Sequence, residues 1–453
     1  MTFSFSHYKK QLELPVSIAP LVIFRIVFGA LLFFMAIRTL ALGWVDKFYI
    51  APSFYFKFYA FEWVQPFGMP IIYLLFIAMI FSALAIMLGA FYRISSFLFF
   101  IIFTYFELLD VTHYLNHYYL ISLLAFLMCW LPANRAYSID VWRNKALHIE
   151  TVPAWTILII QLQLSLVYFF AGLAKLQTDW LLDAQPLRIW LSRQSNFPLI
   201  GPLLTWPIVA YLCSWFGAIF DLTIPFWLKW KKSRPLAYIF VVGFHIATGL
   251  LFNIGIFPWL MMALTLIFFS EFWHQKIITN FGLIFNLSKL KYRKKKASTR
   301  TNDIRLTKRI PILLMLFLCW QLLFPLRHWL YPGNVLWTEE GFRFAWKVMV
   351  VEKTGIAQFK VRDSSSDRES EVNNLDYLTE KQEAMMVYQP DLLLQFAKHL
   401  AKDFRDNKGY KNPIVTVDCF VSLNGRPARR FVDPDVDLAK VKMGRGHLDF
   451  ILE

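Results

Sequence analysis

Cysteine is scarce in this chain, with four in 453 residues. Cys129, Cys213, Cys319 and Cys419 lie far apart, three of them in apolar segments, which gives neither a disulfide framework nor a zinc spacing. Charge is sparse too: charged residues supply 17%, where soluble domains average about 25%. There is no HExxH motif. His113 and His117 have i,i+4 spacing but no carboxylate partner, so no metal is expected. A cleavable leader is not evident, because MTFSFSHYKK runs into a hydrophobic stretch too long for a signal core. The first span is therefore expected to stay. Acids are few, 31 against 47 basic residues, but the excess is not spread as a nucleic-acid footprint. Ten Lys/Arg and one acid fall between Lys289 and Arg309, as in a cytoplasmic loop, so no nucleic-acid partner is expected.

Hydrophobic residues are what the chain has, at 57%, with 46 Phe and 17 Trp that suit lipid-facing and interfacial surfaces. About nine spans are predicted, near 17–42, 67–90, 94–111, 114–131, 154–175, 203–228, 235–251, 254–271 and 309–326. Each approaches the roughly 20 residues needed to cross a bilayer. Lys9 and Lys10, Arg93, the Arg135–Lys145 group, the KWKKSR run and the 289–309 cluster then fall on one side, which makes the amino terminus cytoplasmic. The predicted fold is an α-helical multi-pass membrane bundle of about nine transmembrane helices (1–326) followed by a small extracytoplasmic β-rich domain (327–453). Within the latter, IVTVDCFVSL followed by Asn424-Gly425 predicts a hairpin, residues 390–404 an amphipathic helix, and 361–374 a polar loop.

Lys175, in AGLAKLQTDW, ends the fifth predicted span. A charged lysine near a bilayer centre costs about 2.5–3.5 kcal/mol, less near a helix end. It escapes that cost either by snorkelling to the headgroups or by giving up its proton, and a neutral amine there is a usable base. The topology brings Asn116, His117, His245 and His328 to the same outer leaflet, although each histidine alone also suits a packing role. Asp221 reads as a pairing or helix-positioning charge.

The runs AGLAKLQTDW, NHYYLISLLAF, FHIATGLLFNIGIFPW and HWLYPGNVLWTEEGFRFAWKVMV, with FVDPDVDLA near the end, resemble the vitamin K-dependent gamma-carboxylases from about 15 to 435, in order and spacing. The resemblance implies a multi-pass enzyme that binds reduced vitamin K (a naphthohydroquinone) in the bundle and presents a glutamate-containing protein or peptide through the outer domain. It implies that Lys175 deprotonates the quinol, which reacts with O2 and leaves as its epoxide. The strong base so formed takes a proton from the glutamate gamma carbon, and CO2 traps the carbanion. Asn116 and His117 match family residues near the reacting quinone, His245 matches a further family histidine, and Trp346 and Met349 match the glutamate-contact segment. No metal is required.

One departure stands out. Where the animal enzymes carry a histidine after the Met-Val pair, this chain has Val351. Arg327, His328 or Arg343, expected near the membrane–domain junction, are candidates to replace that contact. The resemblance implies an integral membrane protein, of the bacterial inner membrane, with its C-terminal domain outside. Quinol epoxidation without carboxylation, a transporter and a non-catalytic scaffold are the alternatives; no inverted halves support a transporter.

Overall fold

A computed structural model describes residues 10–284 and 309–452, apart from 367, 443, 445 and 446. The basic cluster expected between Lys289 and Arg309 lies outside the described residues except for the backbone of Arg309, and Lys9 lies outside them as well. Seven helices are long and apolar enough to cross a membrane. Six of them are α1 (Ala19–Ala41), α2 (Met69–Leu88), α3 (Tyr92–Leu109), α5 (Trp155–Leu173), α6 (Pro207–Lys229) and α7 (Arg234–Leu251). The seventh, Ile312–Leu330, joins α10 (Arg309–Leu323) to a 3-10 segment, Phe324–Leu330. The two other expected spans are shorter. One is α4 (Asn116–Trp130), of 15 residues; the other is α8 (Phe257–Leu264), continued by a 3-10 turn to Phe268. Between α8 and α10 runs α9 (Glu271–Ile284), packed on α1.

Phe34, Leu74, Phe81, Ile94, Leu212, Phe226 and Ile239 project outward and exposed, as expected of side chains that lipid would cover. The helix termini follow local chemistry. Gly68 and Pro70 open α2, and Gly89 closes it with φ 63, where a side chain would be strained. Asp110 ends α3 by accepting from the Thr112 amide, which folds the buried residues 110–113 into a turn between α3 and α4.

The C-terminal part is built on a four-stranded antiparallel sheet in the order β4-β3-β5-β6, and a separate ribbon pairs β1 (Pro15–Ser17) with β2 (Thr151–Pro153). The sheet strands are β3 (Lys353–Asp363), β4 (Glu369–Glu371), β5 (Pro413–Leu423) and β6 (Arg429–Arg430). Along β5 the residues alternate between buried and half-buried, so Val415, Val417, Cys419 and Val421 share the core with Leu393, Phe396, Leu400 and Phe404 of α12 (Pro390–Asn407). Before it, α11 (Glu380–Met386) starts with a capping box between Thr379 and Gln382. Asn424 and Gly425 both take positive φ, 51° and 78°, as a tight hairpin turn requires. The 361–374 stretch differs from the loop expected of it, since its ends pair as β3 and β4. Polar residues serve there because the Asp363 carboxylate holds the turn, accepting from the amides of Ser365, Lys411 and Asn412.

Candidate active site

Helices α5 and α6 approach closely at Gly172, where an added Cβ would lie 2.7 Å from the backbone nitrogen of Leu222. That approach sets Lys175, one turn on, against Asp221. Lys175 Nζ donates to Asp221 Oδ2 at 2.8 Å and to the Ala171 carbonyl at 3.2 Å, with the Val348 carbonyl at 3.5 Å. The nitrogen also sits 5.2 Å from the Trp180 ring centroid. Lys175 is only 4% exposed, so the lysine is held within the protein rather than snorkelling to the surface. Pro225 lies inside α6, four residues after Asp221, and its missing N–H leaves the Asp221 carbonyl without its helical partner. The helix is thus loosened beside the ion pair.

Lys175 and Asp221 line a cavity of about 490 Å³ whose wall is otherwise largely apolar and aromatic, including Phe216, Phe240, Phe244 and Phe252. Buried His245 and Tyr168 also line it, and His245 Nε2 lies 2.8 Å from the Tyr168 hydroxyl. Tyr168 lies in α5, seven residues before Lys175, which follows the helix end at Leu173, and both line the cavity.

Asn116 and His117 are elsewhere. They line a second cavity, of about 400 Å³, together with Arg38, Glu107, His113 and Lys381. Ile254, Phe257, Val348 and Met349 line both cavities and form the wall between them. Phe257 stands between the two histidines, its centroid 5.8 Å from His117 and 5.9 Å from His245. The Asn116 side-chain carbonyl accepts from the Tyr114 hydroxyl at 3.0 Å, and Tyr114 in turn accepts from the Phe344 amide at 2.8 Å.

Of the four residues expected at the glutamate contact, Met349 alone reaches the cavity wall. Trp346 is buried behind it, with ring centroids 5.0 Å apart from Tyr119. Arg343 is committed to Asp391, at 2.6 and 3.0 Å, and to the Gln389 side chain. His328 bonds the Pro325 carbonyl through Nδ1 and faces Lys347 Nζ at 3.5 Å. Arg327 donates to the carbonyls of Phe324 and Arg343. None of Arg327, His328 and Arg343 lines either cavity. The i,i+4 pair His113/His117 does not converge on one ion: His113 accepts from Lys381 at 2.7 Å instead. Among the described residues, no group of three His, Cys, Asp or Glu side chains is placed as a metal site would require.

Tyr168, Phe257, Arg38, Glu107 and Lys381 join these cavities without having stood out in the sequence. Tyr168 was within reach, through its seven-residue spacing from Lys175. Phe257 carried no signal, being one of 46 phenylalanines. Lys381 lies in a polar helix of the C-terminal part and meets the bundle only through the tertiary fold.

Residues 14–273 match the family model of the HTTM domain, which places the helical part in a class of membrane-embedded modules. Residues 306–453 match the lumenal domain of vitamin K-dependent gamma-carboxylase. The chain belongs to the vitamin K-dependent gamma-carboxylase family. It is thus a gamma-carboxylase-like integral membrane protein, of a family with a vitamin K cofactor and glutamate-containing substrates. No solved structure matches the chain significantly.

Proposed function

We propose that this protein oxygenates a reduced naphthoquinone to its epoxide and couples that reaction to gamma-carboxylation of protein glutamate, with Lys175 as the initiating base. The observation that carries the reading is the buried Lys175–Asp221 pair in the wall of an apolar cavity that adjoins a polar one through Met349. The apolar cavity falls within the roughly 300–1,000 Å³ of small-molecule sites and has the aromatic lining that suits a flat bicyclic ring. Lys175 and Asp221, His245 with Tyr168, and Phe257 would hold that group. When bound, it supplies with O2 a base strong enough for the glutamate gamma carbon, to which CO2 then adds.

The chain's own part is electrostatic. With the shared proton on Asp221, the pair is a neutral amine beside a neutral acid; when Nζ takes the quinol proton it becomes an ammonium and the pair carries one positive charge. That charge offsets the negative charge left on the ligand, in surroundings where little water screens the interaction. Asn116 and His117, across the Met349–Phe257 wall, are placed to donate or accept at a group entering from the second cavity. The bundle, 1–326, carries this chemistry. Residues 327–453 face outside the cell, and in a bacterium the membrane is the inner one.

A second reading, quinol epoxidation without carboxylation, is favoured by the engagement of Arg343 with Asp391, by the absence of His328 from the lining of both cavities, and by Val351 at the glutamate-contact position. The test is to give purified protein a reduced naphthoquinone and a glutamate peptide, and to follow epoxide and labelled CO2 incorporation in one reaction. Both products are expected. Epoxide alone selects the second reading, and neither product overturns both.

A further inference from the structure

The second cavity holds charged groups that the reaction above does not use. It lies where the last turn of α1 and the start of α4 meet α11 of the C-terminal part. Two cations line it. Arg38 lies over the Trp44 ring at 4.7 Å, and Lys381 donates to His113 Nδ1 at 2.7 Å and lies over Phe48 at 4.7 Å. Among the described residues neither cation has an ion-paired carboxylate. The nearby Asp110 is already engaged, accepting from Thr112 and from Gln382. Burial and the neighbouring Lys381 charge push His113 down to about 3, so the imidazole accepting from Lys381 is neutral at ordinary pH. The one acid in the lining is Glu107, so the cavity sets Arg38 and Lys381 against a single carboxyl; burial pushes the Lys381 amine down, and the Asp110 and Glu107 carboxyls oppose that shift. A lysine that bonds an imidazole, and an arginine that rests on an indole, leave an anion's place open.

We infer that this cavity is where the substrate glutamate side chain enters, its carboxylate held by Lys381 and Arg38, which thereby take over the contact that Val351 does not provide. The inference rests on the proposed reaction for the identity of the anion. The placement fits it. The cavity is bounded partly by the C-terminal part, from which a peptide would arrive, and it shares Val348 and Met349 with the cavity of Lys175. A side chain anchored by its carboxylate at the two cations would direct its gamma carbon toward that shared wall. Glutamine, equal in size but uncharged, would lose the anchor.

The experiment measures equilibrium binding of a capped pentapeptide with one glutamate, and of its glutamine counterpart, to purified full-length protein. Wild type should prefer the glutamate peptide by roughly tenfold or more, the scale of a charge-assisted contact. Lys381→Met and Arg38→Met should each remove most of that preference without changing the affinity for the glutamine peptide, and Lys381→Arg should keep it. Equal binding of the two peptides by wild type, or a preference that survives both substitutions in folded protein, overturns the inference. Should either Met variant fail to fold, Lys381→Gln and Arg38→Gln make the same comparison. The epoxide assay is separate, so a protein that selects the glutamate peptide but forms no epoxide keeps this site and loses the proposed reaction.

Discussion

Lys175 Nζ lies 2.8 Å from Asp221 Oδ2, and both side chains are about 6% exposed. Two opposite charges buried together are tolerable where either alone is not, because desolvating a single ion costs several kcal/mol. The pair joins the end of α5 to α6, and when its shared proton rests on Asp221 it presents a proton-accepting amine at the wall of an apolar cavity.

Asp221→Asn leaves Lys175 without its counter-charge. Removing one partner of a buried pair typically costs about 3–5 kcal/mol, so a lowered Tm is expected. Epoxide formation should fall by roughly a hundredfold or more, the scale of losing a positioned proton transfer. Replacing both residues, Lys175→Met with Asp221→Leu, should recover the Tm but not the turnover. An Asp221→Asn protein with full turnover would remove Asp221 from the account.

Gly172→Ala tests the helix contact that positions this pair. The new methyl group would meet the Leu222 backbone at 2.7 Å, and α5 and α6 must part to admit it. A loss of about 1–3 kcal/mol is expected, read as a lower Tm. Gly243→Ala in α7, with nothing within 4 Å of its added Cβ, should hold or raise the Tm. Equal behaviour of the two variants would show that the close approach is not required.

How much of this was legible in the chain depended on the kind of signal. Seven of the nine expected spans, the amphipathic helix at 390–404 and the Asn424-Gly425 turn follow from local hydropathy and backbone chemistry, and the structure has them. Lys175, Asp221 and His245 stood out because polar residues in apolar helices are expensive. The division of the polar residues between two cavities was not legible. It depends on Phe257, Val348 and Met349, apolar side chains whose part is set only by packing. The isolation of Arg343 was equally hidden, since Asp391 and Gln389 reach it through the fold of the C-terminal part.

Lys347 gives a pH signature. Burial pushes its amine down to about 8 from 10.5, with the Glu339 carboxylate opposing the shift. Between those two values the unfolded chain holds more protons than the folded one, so stability rises as pH rises from about 8 toward 10.5. Below pH 8 both states carry the proton, and the folded protein bears the full cost of a buried ammonium, about 3 kcal/mol. Lys347→Met should therefore raise the Tm at pH 7 and flatten the rise above pH 8. A variant whose Tm follows the wild-type pH profile would show that Lys347 is hydrated.

The most direct test of the central claim is epoxide formation from a reduced naphthoquinone by wild type, Lys175→Ala and Lys175→Arg, each checked for folding and membrane insertion. Turnover is expected of wild type alone. Alanine has no base, and arginine, with a pKa above about 12, cannot serve as one. A small added amine should restore part of the activity of Lys175→Ala. Normal epoxide formation by Lys175→Arg would contradict the account, leaving Lys175 with a structural role beside Asp221.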